Sequence, residues 1–445
     1  MNARILVISF LTLATLPGEG PSAFAIRDAR VVRVSGPTLE HSTVILRDGL
    51  IEAVGENLSV PAGAWVIEGK ALTVYPGLTD ALSTWGIPEA APATPGAQGR
   101  GGAPPAPGPP ATPASPPAAV ARGPEDRPSN TSWLRAADLL SLSDKRIEAA
   151  RSAGFTTAVT FPTHGIFAGQ GAVIDLAGDR PGQMVVVSPA GEYVSLTTGR
   201  FTSFPGSLMG VIAYIRQIYL DADHYRLTRD MYQNPAGLRR PAYDRALEGV
   251  LESPRVLLPA TREVEIDRML RFAQELKHPA VLYGVHEAWR AVDQIKRFNI
   301  PVLVSLKWPE RAQDANPDDK ETLRVLELRA HAPKTPAALS KSGVHFAFYS
   351  DNTRPQDIRK AVKRALDAGL PADEAIRAFT LSAAEIYDVA DRLGSIDKGK
   401  IANLVVTDGP IFEEHTKVKY IFVDGAKYEP IPEEPPAGSG TEKTE

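Results

Sequence analysis

The 445-residue sequence contains no cysteine. Disulfides, thiolate metal ligands and a cysteine nucleophile are therefore all excluded. Only histidine, aspartate, glutamate or a modified lysine could bind a metal ion. The eight histidines never occur as His-x-His or His-x-x-x-His, spacings that bring two imidazoles to one face of a strand or helix. This distribution argues against a zinc site.

The sequence also lacks any basic block of five or more residues, and its formal net charge is −4. A nucleic-acid partner is therefore not expected. Hydrophobic residues make up 43% of the chain and charged residues 23%. This composition predicts a folded protein with one large domain and a smaller one.

The N-terminal apolar run is too short for a stable membrane span. Residues 1–23 combine one early arginine, the apolar stretch Ile5–Leu16 and small residues, which is the pattern of a secretory signal peptide. We therefore predict export to the periplasm or the extracellular space; if the segment is only an N-terminal extension, the protein is cytoplasmic. The Ala-x-Ala match at 23–25 leaves the cleavage position open, because Ala25 can also belong to the first strand.

Both ends of the chain are rich in short β segments. Residues 24–75 alternate strand-like runs with turns, and Asp48-Gly49 is a hairpin signal because both residues tolerate a positive φ. Residues 391–429 return to the same pattern. We predict that these two segments form one small composite β domain. The tail at 430–445 is rich in proline, glutamate and glycine and is predicted to be disordered.

Residues 76–390 alternate helix-like and strand-like segments. This rhythm predicts parallel strands covered by helices, and about six such strands can be placed if Leu72 to Asp80 counts as one. The segment 88–128 is packed with proline, alanine and glycine and is predicted to be a disordered insertion. It acts either as a functional lid or as a tolerated insertion.

Several motifs resemble the amidohydrolase superfamily, in particular its imidazolonepropionase-like and prolidase-like members. They are Ile26–Val32, Val44–Gly55, Val74-Tyr-Pro-Gly-Leu-Thr-Asp80, Leu393–Val406 and Val418–Gly425. The resemblance extends over about residues 24–428 and is most specific at the two ends. It implies an α/β fold, namely a (β/α)8 TIM-type barrel with a composite β-sandwich domain formed by the N- and C-terminal segments. It also implies hydrolysis with a divalent metal ion such as zinc.

The metal-ligand positions of the resemblance are degenerate in this sequence. The family has a His-x-His pair after the first barrel strand, single histidines after the fifth and sixth, and an aspartate after the last. Here those histidine positions hold Leu82, Thr84, Pro259 and Gly284, and only Asp351 remains. Because zinc sites need about three protein ligands, we predict no metal site and no cofactor, although zinc is expected of the family.

Four residues are candidates for catalysis. Asp351 is either a general base with altered partners, or a residue that caps the helix beginning at Pro355 or orders the turn before it. His286 either replaces a lost group or is simply solvated. Lys307 is either a neutral base at the barrel mouth or an ion-paired lysine on its rim. His164, in a glycine-rich loop, is a further rim candidate.

Four further residues are candidates for substrate binding because they lie near the same strand ends. They are Asp80, Trp308, Asn352 and Gln170. Asp80 is also expected to hydrogen-bond the backbone near the end of the first barrel strand.

Two functions remain open at this point. The first is an amidohydrolase-like hydrolase of non-peptide or dipeptide carbon–nitrogen bonds, with most metal ligands lost. The second is a non-catalytic ligand-binding or scaffold protein on the same fold, because a fold alone does not define a function. In both cases the expected partner is a small molecule in the barrel mouth, and the oligomeric state is left open.

Overall fold

The computed structural model describes residues 23–88, 127–198, 204–232, 241–312, 314–316, 318 and 320–431. The predicted signal peptide, the proline-rich insertion and the C-terminal tail lie outside the described residues, apart from a few residues at their edges. No helix within the described ranges has the length and apolar character needed to cross a membrane.

The described elements comprise strands, α-helices and two short 3-10 turns. The strands are β1 (Ala23–Val31), β2 (Leu39–Arg47), β3 (Leu50–Gly55), β4 (Trp65–Glu68), β5 (Thr73–Pro76), β6 (Leu78–Ser83), β7 (Phe155–Thr160), β8 (Phe167–Gln170), β9 (Ala172–Asp175), β10 (Val185–Val187), β11 (Glu192–Val194), β12 (Val256–Ala260), β13 (Ala280–Gly284), β14 (Val302–Ser305), β15 (Phe346–Tyr349), β16 (Leu404–Thr407), β17 (Val418–Val423) and β18 (Ala426–Tyr428). The helices are α1 (Ala136–Leu139), α2 (Lys145–Ser152), α3 (Leu208–Tyr232), α4 (Arg245–Glu252), α5 (Glu263–Leu276), α6 (Ala288–Phe298), α7 (Leu323–His331), α8 (Thr335–Lys341), α9 (Pro355–Asp367), α10 (Ala372–Ala378) and α11 (Leu381–Ile386). The 3-10 turns are Pro181–Gln183 and Ala332–Lys334.

One mixed sheet contains strands from both ends of the chain. Its order is β18-β17-β16-β5-β1-β2-β3, and β4 pairs with β1. The two ends meet where β16 runs antiparallel to β5, with Val405 opposite Tyr75. The Asp48-Gly49 turn joins β2 and β3 as an antiparallel hairpin, as the sequence predicts.

Two further sheets form the α/β part of the molecule. Their orders are β10-β9-β7-β6 and β15-β14-β13-β12-β11-β8. Strands β11 to β15 are parallel, and so are β6 and β7. Ser350, just after β15, donates its backbone N–H to Asp80 in β6 at 2.9 Å, so the outer strands of the two sheets lie side by side. Within the described α/β part, the strands form two separate hydrogen-bonded sheets rather than one closed ring.

Two strands that are not among the six predicted parallel strands, β8 and β9, pair antiparallel with their neighbours. β9 runs antiparallel to β7, and β8 runs antiparallel to β11. The two strands are consecutive and meet at Gly171, whose backbone bonds to Ala190 and Gly191 rather than to either neighbouring strand. The segment from His164 to Gly171, predicted as a loop, therefore contains a strand.

The first barrel strand was predicted to run from Leu72 to Asp80, which is also wrong. The chain forms β5 and β6 in two different sheets, separated by Gly77. The N–H of Gly77 donates to Asn403 O at 2.8 Å. A Cβ at this position would lie 2.0 Å from Thr156 Oγ1. Only glycine permits the two sheets to approach this closely.

Alternating residues of β13 face two different apolar regions. Leu282 packs on the side of the covering helices, whereas Val281 and Tyr283 face the interior with Leu257 and Leu303. Period-two alternation is the geometry of a strand buried on both faces. The interior side chains at the carboxyl ends of these strands form the floor of the candidate site.

Helix α5 illustrates how the covering helices are held. Its buried residues recur every three or four positions, which places them on one helical face towards the sheet. They are Ile266, Met269, Leu270, Phe272, Ala273 and Leu276.

Candidate functional site

Asp351 follows β15, where the parallel strands end. It has a φ of 49°, in the left-handed region. Its Oδ2 accepts a hydrogen bond from Ser305 Oγ at 2.7 Å. Ser305 ends β14, directly opposite Tyr349 of β15. Helix α9 begins after Arg354 without a side-chain cap, so the alternative of Asp351 as its cap is wrong.

Asp80, in β6, is completely buried next to the end of β15. Its Oδ1 accepts from the backbone N–H of Ser350 at 2.9 Å and of Leu82 at 3.5 Å, so the expected backbone bonds are present. Its Oδ2 is also buried and has no hydrogen-bond partner among the described residues. Burial raises the pKa of Asp80 to about 7, and the charge of Asp351 acts in the same direction.

His286 follows β13 and is only 8% exposed, so the alternative of a solvated histidine is wrong. Its Nε2 has no partner within the described part of the chain. Burial lowers the pKa of His286 because it disfavours the imidazolium, and the charge of Asp351 opposes this effect. The ring centroid lies 5.9 Å from that of Trp308. His286 is therefore a neutral imidazole near Asp351.

Three tyrosines that contact one another lie near Asp351, and the sequence reasoning missed them. Tyr193 and Tyr283 are stacked, with ring centroids 5.3 Å apart and an interplanar angle of 27°. Tyr349 meets Tyr283 edge-on at 6.4 Å. Burial and the nearby charge of Asp351 both raise the pKa of each of these phenols, and burial is the larger cause. We call this group the strand-end site; its members are Asp80, Tyr193, Tyr283, His286, Ser305, Tyr349 and Asp351.

A sequence signal existed for one of these tyrosines. In β13 the alternation of interior and exterior residues places Tyr283 in the interior, adjacent to the Gly284 assigned to a ligand position. Gly284 has a φ of 101° and ends the strand. Tyr193 lies in β11, whose three residues are too few to show a periodic pattern.

Two predicted binding residues use their polar side-chain groups to bind the covering helices. Gln170 is buried, and its amide group donates to Gly249 O of α4 at 2.9 Å. Trp308 is 5% exposed, and its indole N–H donates to Ala361 O of α9 at 2.8 Å. Both contacts hold covering helices against the sheet.

The other three predicted residues are exposed near the strand ends. Lys307 donates its backbone N–H to Ser305 Oγ at 3.1 Å, while the residue itself is exposed. Asn352 follows Asp351 with a φ of 60°. His164 is exposed in the connection after β7.

The residues at the family's ligand positions do not fit a zinc ion. Leu82 packs in the apolar interior, and Thr84 Oγ1 accepts a hydrogen bond from Arg146 at 3.0 Å. Pro259 and Gly284 have no donor side chain. Across the described ranges no three His, Asp or Glu side chains lie close enough to bind one metal ion. This donor set lacks the imidazoles and carboxylates that zinc requires.

A separate cavity of about 290 Å3 lies at the opposite end of β15. It contains His345, whose Nε2 is 3.1 Å from Glu385, and Arg377, which donates to both oxygens of the same carboxylate at 2.8 Å. These charged groups already have partners. The cavity is distinct from the strand-end site.

The chain is similar to known amidohydrolases in both sequence and fold. Residues 245–430 match the model of the amidohydrolase family. The fold resembles that of an amidohydrolase from Thermotoga maritima MSB8, with a TM-score of 0.72, 23% identity, and coverage of 91% of this chain and 100% of that one. A prolidase complexed with N-methylphosphonate-L-proline has a TM-score of 0.52 at 15% identity, covering 92% and 99% of the two chains.

A further solved amidohydrolase has a TM-score of 0.51 at 14% identity, covering 92% of this chain and 100% of that one. No curated protein sequence matches the chain. The resemblance inferred from the sequence is nevertheless confirmed: this chain is similar to the amidohydrolase family in sequence over residues 245–430 and in fold over 91% of its length.

Proposed function

We propose that the strand-end site binds a small molecule without a metal centre. The main support for this proposal is the set of side chains at the strand ends, which lacks the family's histidines and contains tyrosines. The family's histidine positions hold Leu82, Thr84, Pro259 and Gly284, while three mutually contacting tyrosines lie near Asp351. A site with aromatic walls and a few polar groups is typical of ligand pockets.

Two buried polar atoms support a ligand at this position. Nε2 of His286 and Oδ2 of Asp80 lack partners among the described residues. Buried polar atoms are rarely left unpaired, because each costs about 1–3 kcal/mol without a hydrogen bond. A bound molecule or ordered water would satisfy them.

The architecture proposed for this function follows the resemblance. Residues 76–390 would form the (β/α)8 barrel, and 24–75 with 391–429 the composite β-sandwich domain. The shared sheet of β5 and β16 supports the second assignment, and the contact between Ser350 and Asp80 supports the first. Export of the protein remains part of the proposal and rests on residues 1–23 alone.

A second candidate function is metal-independent hydrolysis of a carbon–nitrogen bond. It is favoured by the neutral His286 with a free Nε2 and by the Asp351 carboxylate, whose charge acts on that imidazole. Either group could take a proton from water while the water oxygen bonds to the carbonyl carbon. The C–N bond would then break, and the proton would leave with the amine.

A single panel of amides, dipeptides and cyclic imides separates the two functions. Binding is measured by calorimetry and turnover by mass spectrometry, each with and without a chelator. The binding function predicts heat of binding without product, weakened in Asp351→Asn. Chelator-resistant turnover that is lost in Asp351→Asn would favour hydrolysis. Turnover that requires added zinc would contradict both candidates.

A further inference from the structure

The strand-end site contains a carboxylate, Asp351, for which the described residues provide no ion pair within 4 Å. The Asp351 carboxylate accepts from the uncharged Ser305 hydroxyl, and among the described residues it has no ion-pair partner. Arg354, close in sequence, instead pairs with Asp357 at 2.7 Å. The low pKa of His286, caused by its burial, leaves that ring uncharged at neutral pH.

Three tyrosine rings contact one another near this carboxylate, and one of them, Tyr349, lies opposite Ser305, whose hydroxyl binds Asp351. The stacked pair of Tyr193 and Tyr283 adjoins the edge-on ring of Tyr349. The hydroxyl of Tyr283 donates to Val194 O at 3.0 Å, which fixes the orientation of that ring. Tyr193 and Tyr283 remain partly exposed, so a ligand can reach them. Aromatic faces carry negative potential and attract organic cations within about 6 Å.

We propose that the ligand of the strand-end site carries an organic ammonium group, held by the Asp351 carboxylate and the rings of Tyr193, Tyr283 and Tyr349. This inference rests on the proposed binding function and specifies the class of ligand. An anion would be repelled by Asp351. An uncharged ligand would leave the carboxylate without a counter-charge in a partly buried position.

Choline and two of its analogues test the charge preference directly. The uncharged isostere 3,3-dimethyl-1-butanol has almost the same shape, and 3,3-dimethylbutanoate has the opposite charge. Titration calorimetry on the full chain at pH 7.5 and low salt should show choline binding at least about tenfold more tightly than the alcohol. The carboxylate should show no binding.

Substitutions then show which residues cause the preference for the cation. Asp351→Asn should remove most of the difference between choline and the alcohol. Tyr193→Phe keeps the aromatic face and should change choline affinity by less than about twofold, whereas Tyr193→Leu should weaken it about fivefold. Asp391→Asn alters an exposed carboxylate that pairs with Arg392 at 3.9 Å and should have no effect on binding.

Each outcome bears on the proposal. Equal affinity for choline and the alcohol, or preference for the carboxylate, would overturn the ammonium assignment and leave the binding function intact. Binding that Asp351→Asn does not alter would also overturn it. If none of the three compounds binds at millimolar concentration while the amide panel does, the pocket stands and the ligand class is wrong. If no compound in either set binds, the proposed function fails as well.

Discussion

At the scale of single residues, ionisation of the buried Asp80 carboxyl should make the stability of the fold depend on pH. Its pKa is raised from 3.8 to about 7 in the folded protein because the carboxyl is completely buried. The folded state therefore binds more protons than the unfolded state between these two values, so this group's contribution to stability is complete below about pH 4 and is lost as pH rises through 7.

Replacing the carboxyl by an amide should remove this dependence. Asp80→Asn keeps an oxygen that can accept from the Ser350 N–H but does not ionise. We expect its free energy of unfolding, relative to the unmodified protein, to rise by roughly 2 kcal/mol between pH 5 and pH 8. Urea unfolding at the two pH values measures this difference. A constant difference between the two proteins would show that Asp80 ionises normally.

The residues that the sequence revealed at the strand-end site are those with distinctive chemistry. Asp351 was found through the family resemblance, as the aspartate after the last barrel strand, and His286 through its place two residues after Gly284. The tyrosines were not found, because a tyrosine in an apolar strand is indistinguishable from a core aromatic until the strand's neighbours are known. Their grouping depends on which strands are adjacent, and sequence order does not give that directly.

At the scale of elements, Gly77 separates β5 from β6, which belong to two different sheets. A Cβ atom at this position would lie 2.0 Å from Thr156 Oγ1, so any side chain would overlap Thr156. Gly77→Ala should therefore lower the free energy of unfolding by about 3 kcal/mol, because the sheets containing β5 and β6 would be forced apart. Chemical denaturation measures the loss.

Gly182 provides the matched control. A Cβ at Gly182 would have no heavy atom within 4 Å. Gly182→Ala should change stability by less than about 0.5 kcal/mol. If both substitutions have the same small effect, the contact between the two sheets is looser than the structure indicates.

Long, regular elements were predictable, and short or irregular ones were not. The Asp144-capped helix α2 and the strand β7 follow directly from an N-cap residue, a glycine stop and a buried apolar run. In contrast, β8 and β11 have four and three residues, respectively, and their pairing is antiparallel within an otherwise parallel sheet. Tertiary pairing determines such strands more than local pattern does.

At the scale of the whole molecule, Asn403 connects the sheet of the two termini to the α/β part. Its side-chain amide donates to Asp175 at 2.6 Å and to Thr157 at 3.1 Å, and its carbonyl accepts from the backbone N–H of Asp424 at 2.8 Å. Burial raises the pKa of Asp175 to about 7. One side chain thus satisfies polar groups on both sides of the junction.

Removing this amide should destabilise both parts together. Asn403→Ala would leave the buried Asp175 carboxyl without its shortest hydrogen bond, so we expect a loss of about 2–4 kcal/mol. Glu56→Ala, at an exposed turn of the same sheet, should stay within about 0.5 kcal/mol. Thermal unfolding followed by near-ultraviolet circular dichroism measures both. An unchanged transition in Asn403→Ala would mean that the junction is held by other contacts.

The proposed function requires that this amidohydrolase-like fold bind its ligand without a metal centre. Elemental analysis tests it most directly, using full-length protein purified without chelators, incubated with excess zinc and then gel-filtered. Leu82, Thr84, Pro259 and Gly284 supply no imidazole or carboxylate, so we predict well under one equivalent of zinc, unchanged by Asp351→Asn. About one equivalent of zinc per chain that is lost in Asp351→Asn would contradict the proposed function.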